Sequence, residues 1–505
     1  VPRGVLSVAV SGGCGPVSGF LLCGSAAVPE SPDGSPPPPS LPPSFVRGRR
    51  TTVLFPRPGD RDARRASTLN RRVAIIGSGI SGLATARALA SQARVTLFEA
   101  DNYFGGHSHT VDVTLDGVTY GVDTGFLVFN HRTYPNLVRL FEELKVPTAP
   151  SDMSFSVQVP DEGLEWSGSD LSGVFAQRGN LLRPRFLGML ADIARFNKLA
   201  TRLAREGDEQ ALGQSIGVFL DRHRFGPVFR DWYFLPMIGC IWSCPTEQML
   251  RFPVATMIRF CHNHGLIQIA GRPQWHTVRG GARNYVERML AAIPDARLNT
   301  PVRSVRRLNG ESGQHGVQVT TDTGPEHFDD VVLACHSDQS LNLLADPSGE
   351  ERAVLGAIRY HPNRAVLHTD TSVLPKRRRA WAAWNYERAR SLGDEQAAVC
   401  LHYLINRLQP LPWTTPVVVS LNPAREPDAA TVIDTFSYSH PVFDEAAIAA
   451  QARLGALQGR SGTWFCGAWT RYGFHEDGLM SALAVVDALR ASWRGADVGR
   501  QRVAA

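Results

Sequence analysis

The hexapeptide Gly77-Ser78-Gly79-Ile80-Ser81-Gly82 follows directly on the apolar run Val73 to Ile76. Glu99 closes a second apolar run, Arg94 to Phe98, twenty residues beyond Gly79. Residue types at that spacing suit the docking of a dinucleotide pyrophosphate. Gly77 permits the tight turn out of a strand. Gly79 lets backbone approach phosphate with no Cβ in the way, and Gly82 lets a helix pack closely on a sheet. Ser78, Ile80 and Ser81 lead into a helix start whose free N–H groups and positive dipole end face phosphate. Glu99 can accept a hydrogen bond from a ribose 2′-hydroxyl. Its neighbours Ala100 and Asp101 offer no cation to a 2′-phosphate, so NAD or FAD is expected over NADP. With both strands and the acid in place, a tight turn without a ligand is the weaker reading.

These residues need elements to hold them, and 505 residues suffice for two or three domains. The composition is globular, 43% apolar and 20% charged. The formal charge of +6 resides wholly in residues 1–72, with ten Arg and four acids, and the remainder balances to zero. Nucleic acid is therefore not an expected partner. Eight scattered Cys read as reduced thiols of a cytoplasmic protein. Cys240 and Cys244 have apolar flanks and no second pair, so no metal is expected. Residues 1–71 hold 12 of the 34 Pro and an Arg-rich stretch. They read as a disordered extension, either a targeting segment or, more plainly, a translated upstream extension.

A strand pair over 111–115 and 118–122 follows the first unit, then an amphipathic helix over 136–144 and a hairpin over 151–166. A helical tract runs over 184–262, and another helix over 280–293. Strands are expected at 297–306, 317–321, 331–334, 364–370, 380–386, 398–405 and 416–421. A strand at 463–467 precedes a helix from Gly478 to about Ser492. The fold class is α/β. A discontinuous Rossmann-type domain over 72–130, 270–340 and 456–495 carries an α+β substrate domain over 131–269 and 341–455, with a ligand cleft between them.

Four motifs resemble the flavin amine-oxidase superfamily, which includes protoporphyrinogen oxidases and phytoene desaturases. They are Gly77 to Glu99; Gly105-Gly106-His107 with Thr110; Thr300-Pro301-Val302-Arg303; and Phe465-Cys466-Gly467-Ala468 with Glu476-Asp477-Gly478-Leu479-Met480. The resemblance implies FAD as cofactor. It places Gly105, Gly106 and His107 at the pyrophosphate, Val302 at the adenine, and Gly467, Ala468, Gly478, Leu479 and Met480 beside the ribityl chain and ring. The family pattern has Arg where this chain has His107, and an imidazole cannot supply a permanent guanidinium charge. More narrowly, the Asp123-Thr124-Gly125-Phe126 stretch, with Thr124 and Gly125 at the cofactor, and Ser151 to Val157 resemble a bacterial NAD/FAD-binding group associated with cyclopropane-fatty-acid synthase. That likeness implies a functional link to such a synthase and names a setting more than a substrate. Trp232, Tyr233, Phe234, Trp242, Phe252 and Phe260 read as core by default; if several face the cleft, the small-molecule substrate is apolar or lipid-like, and peripheral membrane contact is expected with it.

The resemblance makes the chain an FAD-dependent oxidoreductase that passes a hydride from an apolar substrate to flavin N5. The start of the last helix would face charge building at the ring. Such a dipole end contributes about 0.3–1 kcal/mol, up to ~2 when partly buried. Catalysis needs roughly 8 kcal/mol or more, so this cannot act alone. His475 is the first candidate for a catalytic base and Tyr472 the second, against a simple packing role for both. Alternatives are a flavin-binding accessory protein of a lipid-modifying enzyme and an NAD-dependent dehydrogenase, which leaves the last helix unexplained. His262 and His264 read as lining a loop rather than as ligands, because an i,i+2 pair does not share a helix face.

Overall fold

The computed structural model describes residues 71–207, 212–242, 244–268, 271–309, 315–388 and 399–503. The expectation for residues 1–71 falls, apart from Arg71, outside the described residues. The apolar runs beside the glycine motif form adjacent parallel strands, β1 (Arg72–Ile76) and β2 (Arg94–Phe98), joined through α1 (Ile80–Leu89). Further along come β3 (Asp295–Arg297), β4 (Asp330–Leu333), β5 (Thr463–Phe465) and α2 (His475–Val503). The five strands make one parallel sheet in the order β3-β2-β1-β4-β5.

Strands β1, β2 and β4 read as near-continuous apolar runs because both faces are covered. Side chains alternate across a strand, and here the alternate residues enter two separate cores. Val73, Ile75, Val95 and Leu97 join one cluster, with Leu83 and Ala86 of α1 and Leu489 of α2. Ala74, Ile76, Phe98, Leu333 and Phe465 join the other. Asp330 stitches the late elements together. Its carboxylate accepts Trp464 Nε1–H of β5 at 3.1 Å and Trp493 Nε1–H of α2 at 2.9 Å.

A second, seven-stranded sheet runs in the order Val432–Val442, Arg359–His368, Val418–Leu421, Cys400–Leu404, Trp384–Glu387, Phe155–Val159, Leu164–Ser167. Its pairs are antiparallel except that joining Trp384–Glu387 to Phe155–Val159. The strand pair Thr110–Leu115 and Val118–Asp123 and the helix Pro135–Leu144 form where the pattern places them. The tract 184–262 is several helices, from Pro184–Glu206 to Val254–Asn263, with a π turn at Arg230–Phe234.

Several bounds shift by a few residues, such as Arg359–His368 for the strand expected at 364–370 and Trp384–Glu387 for that at 380–386, and three larger differences stand out. The strand expected at 297–306 is two strands, β3 and Val302–Asn309, which lie in different sheets. Pro301 between them has no N–H for a ladder. The last helix begins at His475 rather than Gly478. An eleven-residue strand, Val432–Val442, was not expected at all, and its first five residues are exposed or half-exposed and give no apolar run.

Candidate functional site

The glycine loop leaves β1 with Gly77 at φ +98°, a left-handed conformation that a side chain would strain, and turns into α1. A Cβ on Gly82 would lie 1.8 Å from the Gly77 carbonyl oxygen, so the helix can begin here only on a bare backbone. Gly79 differs: a Cβ there would meet nothing within 4 Å. Gly79 is also the N-cap of α1, with no side-chain cap and no acid in the first turn. No side chain caps the first N–H groups of the helix, and an anion site requires such uncapped donors.

Three distant segments wall that space. Gly106, at φ +57°, comes so close that a Cβ on it would stand 3.2 Å from Gly79 Cα. The start of α2 crosses the start of α1: Ser81 Oγ donates to the Gly478 carbonyl at 2.9 Å. A Cβ on Gly478 would be 2.9 Å from both Ile80 Cγ2 and Ser81 Oγ. Gly467 N–H donates to Ser481 Oγ at 2.9 Å, which keeps Gly467 and Ala468 beside the same helix start. Leu479 is buried and Met480 half-buried there.

At the other end, Glu99 is buried at the tip of β2. It accepts Ser78 N–H at 2.9 Å and Asp101 N–H at 3.0 Å. Ala100 is exposed beside it. Thr300 N–H reaches the Glu99 carbonyl at 2.8 Å, and this contact brings the segment entering Val302 to the tip of β2. Ser78 Oγ accepts Gly105 N–H at 3.0 Å, tying the two glycine motifs together. Thr124 and Gly125 act behind the wall. Thr124 Oγ1 lies 2.7 Å from Tyr438 Oη, and a Cβ on Gly125 would strike the His107 carbonyl.

His107 is the centre of an imidazole cluster that the linear sequence did not reveal. Its ring lies 5.2 Å from Tyr438, 5.4 Å from His440 and 6.3 Å from His336. Cys335 and His336 follow β4; Tyr438 and His440 come from the unexpected strand. Burial, then His336 and His109, lowers the His107 pKa to about 4. Burial lowers His336 to about 4 and, with His107 and His336, His440 to about 3. All three nonetheless keep some accessible surface. The alternation Phe436-x-Tyr438-x-His440 was the available signal: three rings on one face of a strand.

The buried Nε2 of His107 has no hydrogen-bond partner. A buried polar atom without a partner is costly and rare. Together with the bare Gly79 and the uncapped helix start, it fits the oxygens of a dinucleotide cofactor. Residues 77–82, 105–107 and 478–480 would hold such a group, with Glu99 at its ribose.

His475 begins α2 and stacks on Phe126 at 3.8 Å. Its Nε2 lies 2.9 Å from Ser108 Oγ and 3.0 Å from Tyr285 Oη. Burial and then His107 lower its pKa to about 3. The ring is neutral near pH 7 and Nε2 is engaged, an environment for positioning more than for proton abstraction. Tyr472 is half-buried, 6.2 Å from Phe260. Phe260 stacks on Phe474 at 4.6 Å and on His264 at 3.9 Å, so this side of the molecule is an aromatic wall. His264 Nδ1 is 3.0 Å from the Phe260 carbonyl.

The six described cysteines are free thiols. Cys244 donates to the Trp242 carbonyl at 3.2 Å, and burial raises its pKa to about 12. Glu387, Cys400 and His402 lie within metal-binding reach of one another. Hydrogen-bond direction opposes a metal there. Asp370 N–H donates to His368 Nδ1 at 3.1 Å, which leaves His368 Nε2–H to donate to Ser420 Oγ at 2.7 Å. Ser420 Oγ lies 2.7 Å from His402 Nδ1, and His402 Nε2–H donates to Glu387 at 3.1 Å. Against the desolvation of burial, Cys400 and Glu387 raise the His402 pKa to about 9. A metal needs a lone pair at Nε2, where this chain of bonds holds a proton.

The model of the "Flavin containing amine oxidoreductase" family matches residues 80–388. The chain is 30% identical over 292 residues to the carotenoid phi-ring synthase of Streptomyces griseus, covering 54% of each chain. It thus spans about half the length of the curated relatives it matches. Among solved structures it is similar to a CLA-producing fatty acid isomerase from P. acnes, with a TM-score of 0.58, 16% identity, and 83% of this chain and 98% of that one covered. It is also similar to cyclohexylamine oxidase from Brevibacterium oxydans IH-35A, with a TM-score of 0.59, 15% identity and coverages of 83% and 100%. Likeness at that identity concerns the fold. The family match spans over half the chain and includes α1, Glu99 and Gly105 to His107: the protein belongs to the flavin-containing amine oxidoreductases.

Proposed function

We propose that this chain is an FAD-dependent oxidoreductase whose substrate is apolar and lipid-like. The observation that carries the reading is the meeting of two helix starts, α1 and α2, over open backbone at Gly79. Gly106 packs against Gly79, and its neighbour His107 has a buried Nε2 without a partner. An NAD-dependent dehydrogenase would use the first of these helix starts and give the second no role. Bound FAD supplies a hydride acceptor at N5 of its ring.

The chain's own residues supply position and surroundings. Glu99 orients a ribose, the α1 N–H groups take phosphate charge, and the start of α2 favours negative charge near the ring. Ser108, Tyr285 and Phe126 hold His475 in one orientation. Phe260, Phe474 and the partly buried Tyr472 present an apolar wall that excludes water. That wall supports an apolar substrate. So do the names of two similar proteins, a carotenoid ring synthase and a fatty acid isomerase.

The test is direct. Purified protein should be yellow, bleach with dithionite, and bleach anaerobically with a lipid fraction but not with simple amines. Folded protein that neither carries nor takes up FAD would refute the cofactor assignment. Bleaching by amines alone would refute the substrate class. FAD that no lipid or amine reduces would favour the accessory-protein reading.

A further inference from the structure

We infer that the surface formed by residues 171–187 and 376–379 is a docking site for an anionic lipid membrane. The inference is independent of the cofactor assignment. Most large apolar side chains of the described residues are covered, yet four exposed leucines gather in this short stretch: Leu171, Leu181, Leu182 and Leu187. Leu182 is 88% accessible, on a turn between the 3-10 helix Arg178–Leu182 and the helix Pro184–Glu206. Isolated exposed leucines need no explanation, but a cluster of them does.

The stretch is rigidly backed rather than loose. Phe186, next to Leu187 in the helix Pro184–Glu206, is fully buried, 6.0 Å from Trp166 and 6.1 Å from Phe175. Gln177 accepts Glu165 N–H at 2.9 Å, which fixes the approach to the 3-10 helix. The Leu182 side chain is thus held outward by a packed base.

The second observation is charge. Lys376, Arg377, Arg378 and Arg379 are consecutive and exposed. They lie against the same surface, because the Glu165 carboxylate accepts Lys376 N–H at 2.9 Å and Arg377 N–H at 3.2 Å. The Gly173 turn closes on the Arg379 carbonyl, 3.5 Å from where a Cβ would sit. Arg377 pairs with Glu165, while no described carboxylate pairs with Arg178, Lys376, Arg378 or Arg379. Arg378 also lies over the Trp381 ring at 5.3 Å. Projecting leucines beside cations that no described carboxylate neutralises match the two layers of an anionic bilayer surface: acyl boundary and headgroup phosphate. No helix among the described residues is long and apolar enough to cross a membrane. The contact would be peripheral.

The test is flotation of the full chain with vesicles of phosphatidylcholine alone and with vesicles containing phosphatidylglycerol. Residues 1–72 carry ten arginines and attract anionic lipid by themselves, so the comparison is between variants that share them. Wild type should prefer the anionic vesicles. Leu181→Ser/Leu182→Ser should bind about tenfold more weakly. Lys376→Gln/Arg378→Gln/Arg379→Gln should lose about fivefold per removed charge at low salt, with the loss shrinking as salt rises. Both variants replace exposed side chains, and unchanged thermal melting would confirm intact folding. Equal vesicle binding by wild type and both variants, or none by wild type, overturns the proposal. So does a wild-type dimer that the leucine pair dissolves without change in vesicle binding, since the patch would then belong to a second copy.

Discussion

Gly79 and His107 make the sharpest claims at the scale of single residues. Gly79 faces open space, so Gly79→Val adds its side chain where a phosphate would lie and nowhere else. We expect unchanged melting and at least tenfold weaker FAD retention, read from flavin absorbance after gel filtration. At Gly82 the same change would strike backbone and unfold the unit, so it tests nothing about the cofactor. His107 is neutral at pH 7, because burial and its histidine neighbours hold its pKa near 4. A pyrophosphate anion beside it would favour the charged form and draw in a proton on binding. FAD affinity should therefore tighten as pH falls from 8 to 6, by up to about tenfold per unit for one proton taken up. In His107→Arg the charge is permanent, and that pH dependence should flatten. Fluorescence titration across the range checks both. The glycine motif and Glu99 were legible because their partners are close in sequence. His336, Tyr438 and His440 were not, because they reach His107 only through strand pairings hundreds of residues apart.

Elements are joined at this site by side chains that cap one helix from another. Glu476, in the first turn of α2, accepts Asn136 N–H and Leu137 N–H, both at 3.0 Å, at the start of helix Pro135–Leu144. It also takes Asn136 Nδ2–H at 2.7 Å. Glu476→Ala would strand those donors at a cost of about 1–3 kcal/mol. Urea unfolding should show the loss, and Glu476→Gln should restore part of it. From sequence the Glu476-Asp477 pair stood only as part of a cofactor motif; its structural task depends on a helix 340 residues away. The elements themselves were legible where burial is complete. Strands β1, β2 and β4 are apolar along most of their length, as in Val73–Ile76 and Val331–Leu333, because both faces are covered. The edge strand β3, Asp-Ala-Arg, carries no pattern and takes its place from pairing with β2 alone. Strand Val432–Val442 hid for a similar reason: its opening residues are largely exposed, and it is fixed by a long ladder with Arg359–His368.

For the whole molecule, the buried histidines predict how stability changes with pH. His107, His264, His336 and His368 are lowered to about 4, and His440 and His475 to about 3, in each case chiefly by burial. The unfolded chain takes up protons from about pH 6.5 downward, while the folded chain refuses them until about pH 4. Their contribution is fully present above pH 6.5 and is lost as pH falls toward 4. Asp123 and Asp477, raised chiefly by burial to about 7 and 6, act in the opposite sense, but six imidazoles outweigh two carboxyls. In His402 burial is outweighed by Cys400 and Glu387, which raise its pKa to about 9; the stabilisation this adds is lost only as pH rises from about 6.5 toward 9 and is constant below that window. The urea midpoint of the cofactor-free protein should fall steadily from pH 6.5 to 4.5, and a flat profile would contradict the burial of the cluster.

The parallel sheet also constrains the order of events during synthesis. Its central strand ends at Ile76, yet its last strand begins at Thr463, and the helix that closes the cleft follows. At typical ribosomal speeds of roughly 5–20 residues per second, the nascent nucleotide pocket waits about 20–80 s for its final wall. Through that interval the Thr463 edge of β4 is without its neighbour, so a ribosome stalled near residue 455 should display an open, protease-sensitive half-sheet that no flavin can rescue.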